Sequence, residues 1–207
     1  MSAPGAQVPL ARGSLVQTAP GGPSRAITFQ FNPESVHRTI EPNTVGGRPG
    51  ARSEAVRFAG APAETLTLEC RLTSAEGDTG STDIQPQLAA LALLAYPTTA
   101  SVRAAQTALD GGSIEVLPAL ADGLLFVWGQ RVLPVRLESC TIVEELYDAE
   151  LRPVLATVTL TLRALSYSDV DAANPAAGQF LTYQSGLERT AASAYAPWTA
   201  PDGTGGR

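Results

Sequence analysis

The chain has 207 residues, of which 44% are hydrophobic and 16% are charged, and its formal net charge at pH 7 is −6. This length fits one domain with terminal tails and allows an ordinary apolar core. All 14 basic residues are arginines spread singly along the chain, so we expect no nucleic-acid-binding surface.

Targeting signals are not evident in the sequence. The N-terminal residues lack the basic start and the continuous apolar segment of a secretion signal. No apolar run reaches the roughly 18 residues that a membrane-spanning helix needs. We therefore expect a cytoplasmic protein without a membrane span.

The first 24 residues contain eight glycines and prolines. Such a segment cannot bury enough apolar surface to offset the entropy that is lost on ordering. We predict a Gly/Pro-rich N-terminal arm over residues 1–24. A β domain over residues 25–168 and a partly helical C-terminal extension over residues 169–207 are predicted to follow.

A strand, a turn and a second strand are predicted between residues 27 and 40. Phe29 and Phe31 alternate with polar residues, as in a half-buried strand, and are predicted to pack against the sheet. Asn32 and Pro33 then form the turn, because proline fixes φ and asparagine can bond its own backbone.

The middle of the chain predicts another strand and one helix. Residues 42–63 are rich in Gly and Pro and predict a long excursion around a short strand. Residues 64–72 alternate again, with leucines and Cys70 on one face. A helix is predicted over residues 81–97, ending at a proline, and its leucine content indicates that it packs against a sheet or another subunit.

Two long alternating runs predict an extended β-hairpin over residues 131–165, after a strand that ends at Trp128 and Gly129. Both runs are longer than the usual strand of about 5–6 residues. The second run places Val, Leu and Ala on one face and threonines on the other. The threonine face suits either the wall of a water-filled space or an ordinary solvent face.

The C-terminal extension is predicted to contain a short helix over residues 180–194, interrupted by Gly186. Trp198 has no local partner in the sequence and is expected to anchor the tail to another surface.

Residues with catalytic or metal-binding chemistry are sparse. His37 is the only histidine, and with two separated cysteines, Cys70 and Cys140, it makes no metal set of the usual spacing. The cysteines are interpreted as buried free thiols, while the distance between them stays open. Carboxylates near residues 144–150 are typical of a solvated turn. We therefore predict no catalytic residues, no metal, no cofactor and no enzymatic activity.

Three stretches together resemble the tube-like proteins of contractile injection systems, which are phage-tail-derived machines. They are "ITFQFNPESVHR", "VRFAGAPAETLTLECRL" and "LLFVWGQRVLPVRLESCTIVEELYDAELRPVLATVTLTL", within residues 25–168. The resemblance is to the N-terminal domain of the baseplate hub proteins that carry a LysM module, which we do not expect here. The family often has glycine before the proline of the hairpin return, where this chain has Leu151-Arg152-Pro153.

The resemblance implies a mainly β, phage tail-tube-like fold: a two-sheet sandwich or barrel with one flanking helix and a long hairpin. It also implies that six copies join edge to edge into a homohexameric ring. The residues expected to shape the fold or its interfaces are Phe29, Phe31, Asn32, Pro33, Trp128, Gly129, Arg152, Pro153 and Trp198.

The function that the resemblance implies is structural. The chain is expected to be a baseplate hub or adaptor ring that connects the spike to the inner tube of a bacterial phage tail-like particle. The tube protein, the spike and other baseplate proteins would be its partners. Two alternatives stay open: an inner tube or tube-cap protein of the same machine, and a monomeric β module that binds a ligand or glycan.

Overall fold

The computed structural model describes residues 11–18, 23–46, 55–74, 83–112 and 123–197, and these ranges contain nine strands and three helices. The strands are β1 (Ser14–Thr18), β2 (Arg25–Thr28), β3 (Val36–Glu41), β4 (Thr44–Val45), β5 (Arg57–Phe58), β6 (Ala63–Thr73), β7 (Gly123–Trp128), β8 (Arg131–Tyr147) and β9 (Pro153–Ala164). The helices are α1 (Gln85–Leu93), α2 (Thr99–Asp110) and α3 (Pro175–Ala191).

Seven strands form one antiparallel sheet in the order β2-β1-β7-β8-β9-β6-β3, and β4 and β5 form a separate two-stranded ladder. The predicted mainly β class, with two sheets and a long hairpin, is confirmed, and the described ranges contain three helices where one flanking helix was predicted. The two sheets are unequal in size, and the described strands do not close into a barrel.

The core lies on one face of the large sheet. Alternation along β9 buries Val158, Leu160 and Leu162 completely, while the threonines between them stay half-buried on the other face. Helix α1 contributes buried leucines, and α3 contributes Phe180 and Tyr183 to the same core. The sheet is thus apolar towards its helices and polar on its opposite face.

Strand β1 was missed by the sequence analysis, which assigned its residues to a loose arm. It pairs with β2 on one side and with β7 on the other, and Leu15 is fully buried. The five residues of β1 lie between segments rich in glycine and proline, and an alternating pattern of this length is too short to predict a strand. The strand forms because β7, more than a hundred residues away in sequence, supplies its hydrogen bonds.

The helices differ in part from the prediction. Helix α1 lies within the predicted range, but α2 was missed because Pro97 was taken as the end of helical structure. Thr98 instead caps α2, accepting a hydrogen bond from the Ser101 backbone N–H. Helix α3 begins at Pro175, capped by Asn174, and continues through Gly186 without interruption. No helix of the described ranges is long and apolar enough to cross a membrane.

The two cysteines are free and do not face each other across neighbouring strands. Cys70 pairs with Val158 of β9 and Cys140 pairs with Leu160, so the cysteine strands lie on opposite sides of β9. Two strand spacings of about 4.8 Å separate them, which exceeds the reach of a disulfide. Burial raises the pKa of the Cys70 thiol to about 12.

Candidate assembly surfaces

Three of the residues singled out in the sequence meet around Gly13, just before β1. Phe29 donates its backbone N–H to the Gly13 carbonyl at 2.9 Å, and Asn32 Oδ1 accepts from the Gly13 N–H at 2.9 Å. Trp128 closes the other side: a Cβ on Gly13 would lie 2.5 Å from Trp128 Cε3. The Trp128 ring in turn stacks on Phe126, with 6.0 Å between centroids.

The segment after β2 is held by side-chain amides rather than by strand pairing. Asn32 Nδ2 donates to the Ala11 carbonyl at 2.9 Å. Gln30 bonds both backbone groups of Thr73 at the end of β6, donating to its carbonyl at 2.7 Å and accepting from its N–H at 2.8 Å. These bonds turn the chain away from the sheet directly after Thr28.

The turn separates the two phenylalanines that the alternation had placed together. Phe29 is buried in the core, whereas Phe31 is 37% exposed, so the prediction that Phe31 packs against the sheet is wrong. The strand ends at Thr28, and the period of two does not extend to Phe31. Phe31 and Pro33 instead line an open cleft on the polar face of the sheet.

This cleft, lined by Phe31 and Pro33, has a volume of about 1100 Å³. Its floor is the polar face of β6 and β9, with Thr67, Thr157 and Thr159 among the lining residues, and Leu146 of β8 lies at its margin. Small-molecule sites bury most of their ligand among apolar side chains. An open cleft floored by threonines is better suited to contact with water or with a neighbouring chain.

A two-residue turn connects Trp128 to Arg131, which are paired across the β7–β8 hairpin. Gly129 takes the first position of this turn with φ of +59°. A positive φ at that position is typical of a type II′ hairpin turn, which favours glycine. Gly129 therefore sets the start of β8 and the register of its pairing with β7.

The far end of the β8–β9 hairpin is a turn built around Asp148. Asp148 Oδ1 accepts from the backbone N–H groups of Glu150 and Arg152, and its Oδ2 accepts from Arg152 Nε at 2.8 Å. The Arg152 backbone N–H and guanidinium hold the pKa of the Asp148 carboxyl below its ordinary value. Pro153 is buried as the first residue of β9. The predicted hairpin return is thus fixed by one carboxylate.

Apolar side chains are exposed at this end of the hairpin, which we call the β8–β9 tip (residues 143–152). They are Val143, Leu146, Tyr147 and Leu151. Leu151 is 80% exposed and has φ of +61°, a left-handed conformation that is rare for a branched side chain.

In the described part of the chain, β2 and β3 end the large sheet, each with one edge unpaired. Strand β8 pairs with β7 only as far as Val135, and from Arg136 to Tyr147 it pairs with β9 alone. The strands β8, β9, β6 and β3 therefore form a four-stranded region with a free edge on each side.

The polar face of this four-stranded region is rich in small hydroxyl side chains. Register along the ladders places Thr65, Thr67, Ser139, Thr141, Thr157, Thr159 and Thr161 on it. Charged side chains lie among them, including an Arg136–Glu138 ion pair at 3.2 Å. Neither open interpretation of this face is decided by its composition.

The β4–β5 ladder prolongs the β3–β6 pairing beyond the end of the large sheet. Ala59 donates its N–H to the Asn43 carbonyl, and Thr44 and Val45 then pair with Phe58 and Arg57. Phe58 is 82% exposed, and Val45 and Val56 are exposed as well. The sequence analysis did not single out Phe58 as a candidate interface residue.

A buried ion pair that the sequence analysis missed fixes α3 to the sheet. Glu64 is buried on the core face of β6, and it accepts from Arg38 Nε and, at 3.2 Å, from Arg38 Nη2. Tyr183 of α3 donates to Glu64 Oε1 at 3.2 Å. Hydrogen bonding to Glu64 raises the pKa of Arg38. In the sequence, Glu64 occupies a position where the alternation along β6 predicts a buried apolar residue. This mismatch could have revealed the buried carboxylate.

The remaining sequence expectations concern chemistry and the C-terminal tail. His37 is exposed on β3, 3.4 Å from Ser35 Oγ. Within the described residues, no three His, Cys, Asp or Glu side chains are placed to hold a metal ion. Trp198 lies outside the described residues, so its predicted anchoring role stays a prediction.

No protein-family model and no curated protein matches the chain. Among solved structures it is similar to the sheath/tube terminator of an extracellular contractile injection system, PVC, in the extended state. The identity is 13% over 79% of this chain and 96% of that chain, with a TM-score of 0.31.

Two further solved structures show a likeness of the same order. The sheath-tube complex of the same system gives 13% identity over 78% of this chain and 89% of that chain, with a TM-score of 0.30. The tail of an empty gene transfer agent particle gives 13% identity over 73% and 90%, with a TM-score of 0.29. Likenesses this weak carry no conclusion about the fold or function of this chain.

Proposed function

We propose that the chain is a non-enzymatic structural subunit of a contractile injection system, in which copies join edge to edge into a ring. The observation that carries this proposal is the four-stranded region β8-β9-β6-β3 with one free edge on each side. A monomeric protein would normally protect such long edges, because unpaired backbone groups recruit other strands.

The direction of the edge strands is compatible with a ring. Each neighbouring pair in the region is antiparallel, so β8 and β3 run in opposite directions. A rotation about an axis along the strands keeps those directions, and it brings β3 of one copy beside β8 of the next as an antiparallel pair. Repetition of this contact closes a ring without leaving an edge.

The faces of the region fit the same arrangement. The helices cover the apolar face and would lie outside the ring, while the threonine-rich face would line the central space. This arrangement corresponds to one of the two interpretations of the threonine face given above, the wall of a water-filled space. The cleft beneath Phe31 and Pro33 then opens to the lumen, near one end of the ring.

The finer assignment rests on the sequence resemblance. We propose a homohexameric hub or adaptor ring, assembled in the bacterial cytoplasm, that connects the spike to the inner tube. Residues 25–168, joined by the strand β1, would form the ring-building body. The proposed partners are the tube protein, the spike and other baseplate proteins, with no enzymatic activity, metal or cofactor.

A second candidate within the same machine is an inner tube subunit, which repeats along the tube axis. The observation that favours it is the presence of two different exposed apolar surfaces at opposite ends of the strands, the β4–β5 ladder and the β8–β9 tip. A subunit of a single adaptor layer has less need for complementary ends.

The ring proposal is tested by a charge placed on one free edge. Ile40 of β3 is 46% exposed, and Leu181 of α3 is 49% exposed. An inward-pointing lysine on an edge strand blocks strand addition. The variant Ile40→Lys is expected to remain monomeric by native mass spectrometry, whereas the matched control Leu181→Lys keeps the ring mass.

Both variants are first compared with the parent chain by thermal unfolding, so that misfolding is not read as loss of assembly. A folded Ile40→Lys variant that still forms the same oligomer would contradict edge-to-edge joining through β3. A parent chain that stays monomeric with and without its tube and spike proteins would favour the ligand-binding or glycan-binding alternative.

A further inference from the structure

We propose that Arg38, Glu64 and Tyr183 form a clamp that holds the edge strand β3 in place for pairing with a neighbouring copy, so that docking of α3 controls assembly. Arg38 lies on β3, Glu64 lies on β6 and Tyr183 lies on α3. The inference rests on the proposed ring function, and it deepens that function by naming what regulates the β3 edge.

Strand β3 is held only weakly by its apolar side chains. It has six residues and pairs with β6 alone among the described strands. The register places Val36, Arg38 and Ile40 on the core face, opposite buried residues of β6. Of the two apolar side chains, Val36 is partly buried and Ile40 is 46% exposed. A short edge strand with so few buried contacts opens by local unfolding more readily than the core does.

Arg38 supplies the contact with the sheet that the apolar side chains of β3 lack. Its Nε and Nη2 donate to the two carboxylate oxygens of Glu64, and Nη2 also donates to the Tyr183 hydroxyl at 2.5 Å. The guanidinium carbon lies 5.8 Å from the centre of the Tyr183 ring. A two-pronged pair between arginine and carboxylate fixes orientation as well as distance. The clamp therefore sets how β3 lies against β6.

Burial of Glu64 makes opening of the clamp unfavourable. The residue is 2% exposed, and among the described contacts its carboxylate accepts hydrogen bonds from Arg38 and Tyr183 alone. Removing one partner of a buried ion pair is strongly destabilising, because the remaining charge is left without compensation. Loss of the cation therefore drives β3 or α3 away from the sheet until water reaches Glu64.

Docking of α3 belongs to the same contact. Tyr183 is 8% exposed, donates to Glu64 Oε1 at 3.2 Å and accepts from Arg38. Residues 184–191, the second half of the helix, bury none of their side chains. Among the described hydrogen bonds, Tyr183 provides the link between α3 and β3. Undocking of the helix therefore weakens the attachment of the edge strand.

The order of the two elements along the chain explains what this coupling achieves. Arg38 and Tyr183 are 145 residues apart, so β3 is synthesised well before the helix that completes the clamp. Unpaired strand edges on partly folded chains recruit other strands and lead to misassembly. An edge that is fixed only after α3 docks delays joining until the body of the subunit has folded.

Hydrogen exchange of the dilute, unassembled chain tests the clamp. Glu64→Gln keeps the side-chain volume and removes the charge that Arg38 binds, and neither Glu64 nor Tyr183 lies on the edge strand itself. Glu64→Gln is expected to raise exchange in residues 36–41 by about ten-fold, because hydrogen bonds to a charged group are lost. Tyr183→Phe keeps the ion pair, so it gives a smaller rise at the same residues and remains testable if Glu64→Gln does not fold.

The second measurement is the protein concentration at which half of the chain is assembled, determined by sedimentation velocity. The affinity of each joint falls with the fraction of copies whose β3 edge is in place, so Glu64→Gln is expected to raise this concentration by about three-fold or more. Leu15→Val is the matched control, because it removes a buried methylene group from β1, four strands away from β3 in the sheet. It is expected to lower the unfolding temperature without changing exchange in residues 36–41 or the assembly midpoint.

The outcomes separate the clamp from the ring. Exchange that rises equally in β9 and in residues 36–41, or in neither, would overturn the clamp. An unchanged assembly midpoint in a variant with faster exchange at β3 would overturn its control of assembly and leave the ring proposal standing. A parent chain that forms no ring, alone or with its tube and spike proteins, would contradict the ring proposal and the control of assembly together, whereas exchange of the dilute chain would still show whether the clamp holds β3.

Discussion

Gly13 is the residue on which the start of the sheet depends most closely. A Cβ at this position would lie 2.5 Å from Trp128 Cε3 and 2.9 Å from Phe29 Cδ2. We expect Gly13→Ala to lower the free energy of unfolding by about 1–3 kcal/mol, because the two rings are packed around the missing side chain. Urea unfolding of the purified variant measures the change.

Gly178 provides the control for this substitution. It lies inside α3, and an added Cβ would have no neighbour within 4 Å. Gly178→Ala is therefore expected to be neutral or stabilising by about 0.5–1 kcal/mol. Equal effects of the two substitutions would contradict the packing described at Gly13.

The buried thiol of Cys70 makes stability depend on pH in the alkaline range. Its pKa is raised from 9.0 to about 12 by burial, so the folded chain retains a proton that the unfolded chain releases. The contribution is present below pH 9 and is lost as the pH rises towards 12, at up to about 1.4 kcal/mol per pH unit. Unfolding of the parent chain and of Cys70→Ala is compared between pH 8 and 11.

The difference between the two proteins is the relevant quantity, since the pKa of Tyr183 is also raised and acts in the same direction. Cys70→Ala is expected to lose stability less steeply than the parent chain above pH 9. Parallel pH profiles would show that the Cys70 thiol is not protected by the fold.

Single residues also show where the alternating sequence pattern fails to predict which side chains are buried. The alternation correctly predicts the faces of β6 and β9, because both strands are paired within the large sheet along their whole length and have one face on the apolar core. It fails at Phe31, because side-chain bonds of Gln30 and Asn32 end the strand first. Contacts of this kind join residues far apart in sequence and leave no periodic signal.

Among the elements, α3 owes its position to a polar contact in the core. We expect Arg38→Ala to lower the free energy of unfolding by about 3 kcal/mol, because it leaves the buried Glu64 carboxylate without its cation. Tyr183→Phe removes the hydrogen bond donated to Glu64 and the one accepted from Arg38, and it is expected to cost about 1–2 kcal/mol. Chemical denaturation monitored by circular dichroism measures both effects.

The matched control is Arg136→Ala, which breaks an exposed ion pair with Glu138. Exposed pairs contribute about 0–1 kcal/mol. A loss in Arg38→Ala no greater than the loss in Arg136→Ala would mean that Glu64 is not held as a buried charge, and that α3 is fixed by its apolar residues alone.

Element length decides what could be foreseen in the fold. The strands β6, β8 and β9 each have 11 or more residues, and all three were predicted from alternation. Strand β1, with five residues, was missed, since its pairing with β7 is set by the tertiary fold. Helix α2 was missed although its sequence is amphipathic, because Pro97 was taken as the end of helical structure.

At the scale of the whole molecule, the chain has free surfaces in two independent directions. The edges of β3 and β8 face sideways, and the β4–β5 ladder and the β8–β9 tip face along the strands. The sequence indicated the long hairpin but not the free edges, because these depend on which strands become neighbours. In the proposed assembly, the edges of β3 and β8 join neighbouring copies into a ring.

The mass of the purified chain in solution, by native mass spectrometry, alone and together with its co-expressed tube and spike proteins, tests the ring most directly. The proposed ring predicts a mass of six times 21.5 kDa for its assembled copies, either for the chain alone or once those partners are present. A chain that remains at 21.5 kDa in both conditions would contradict it.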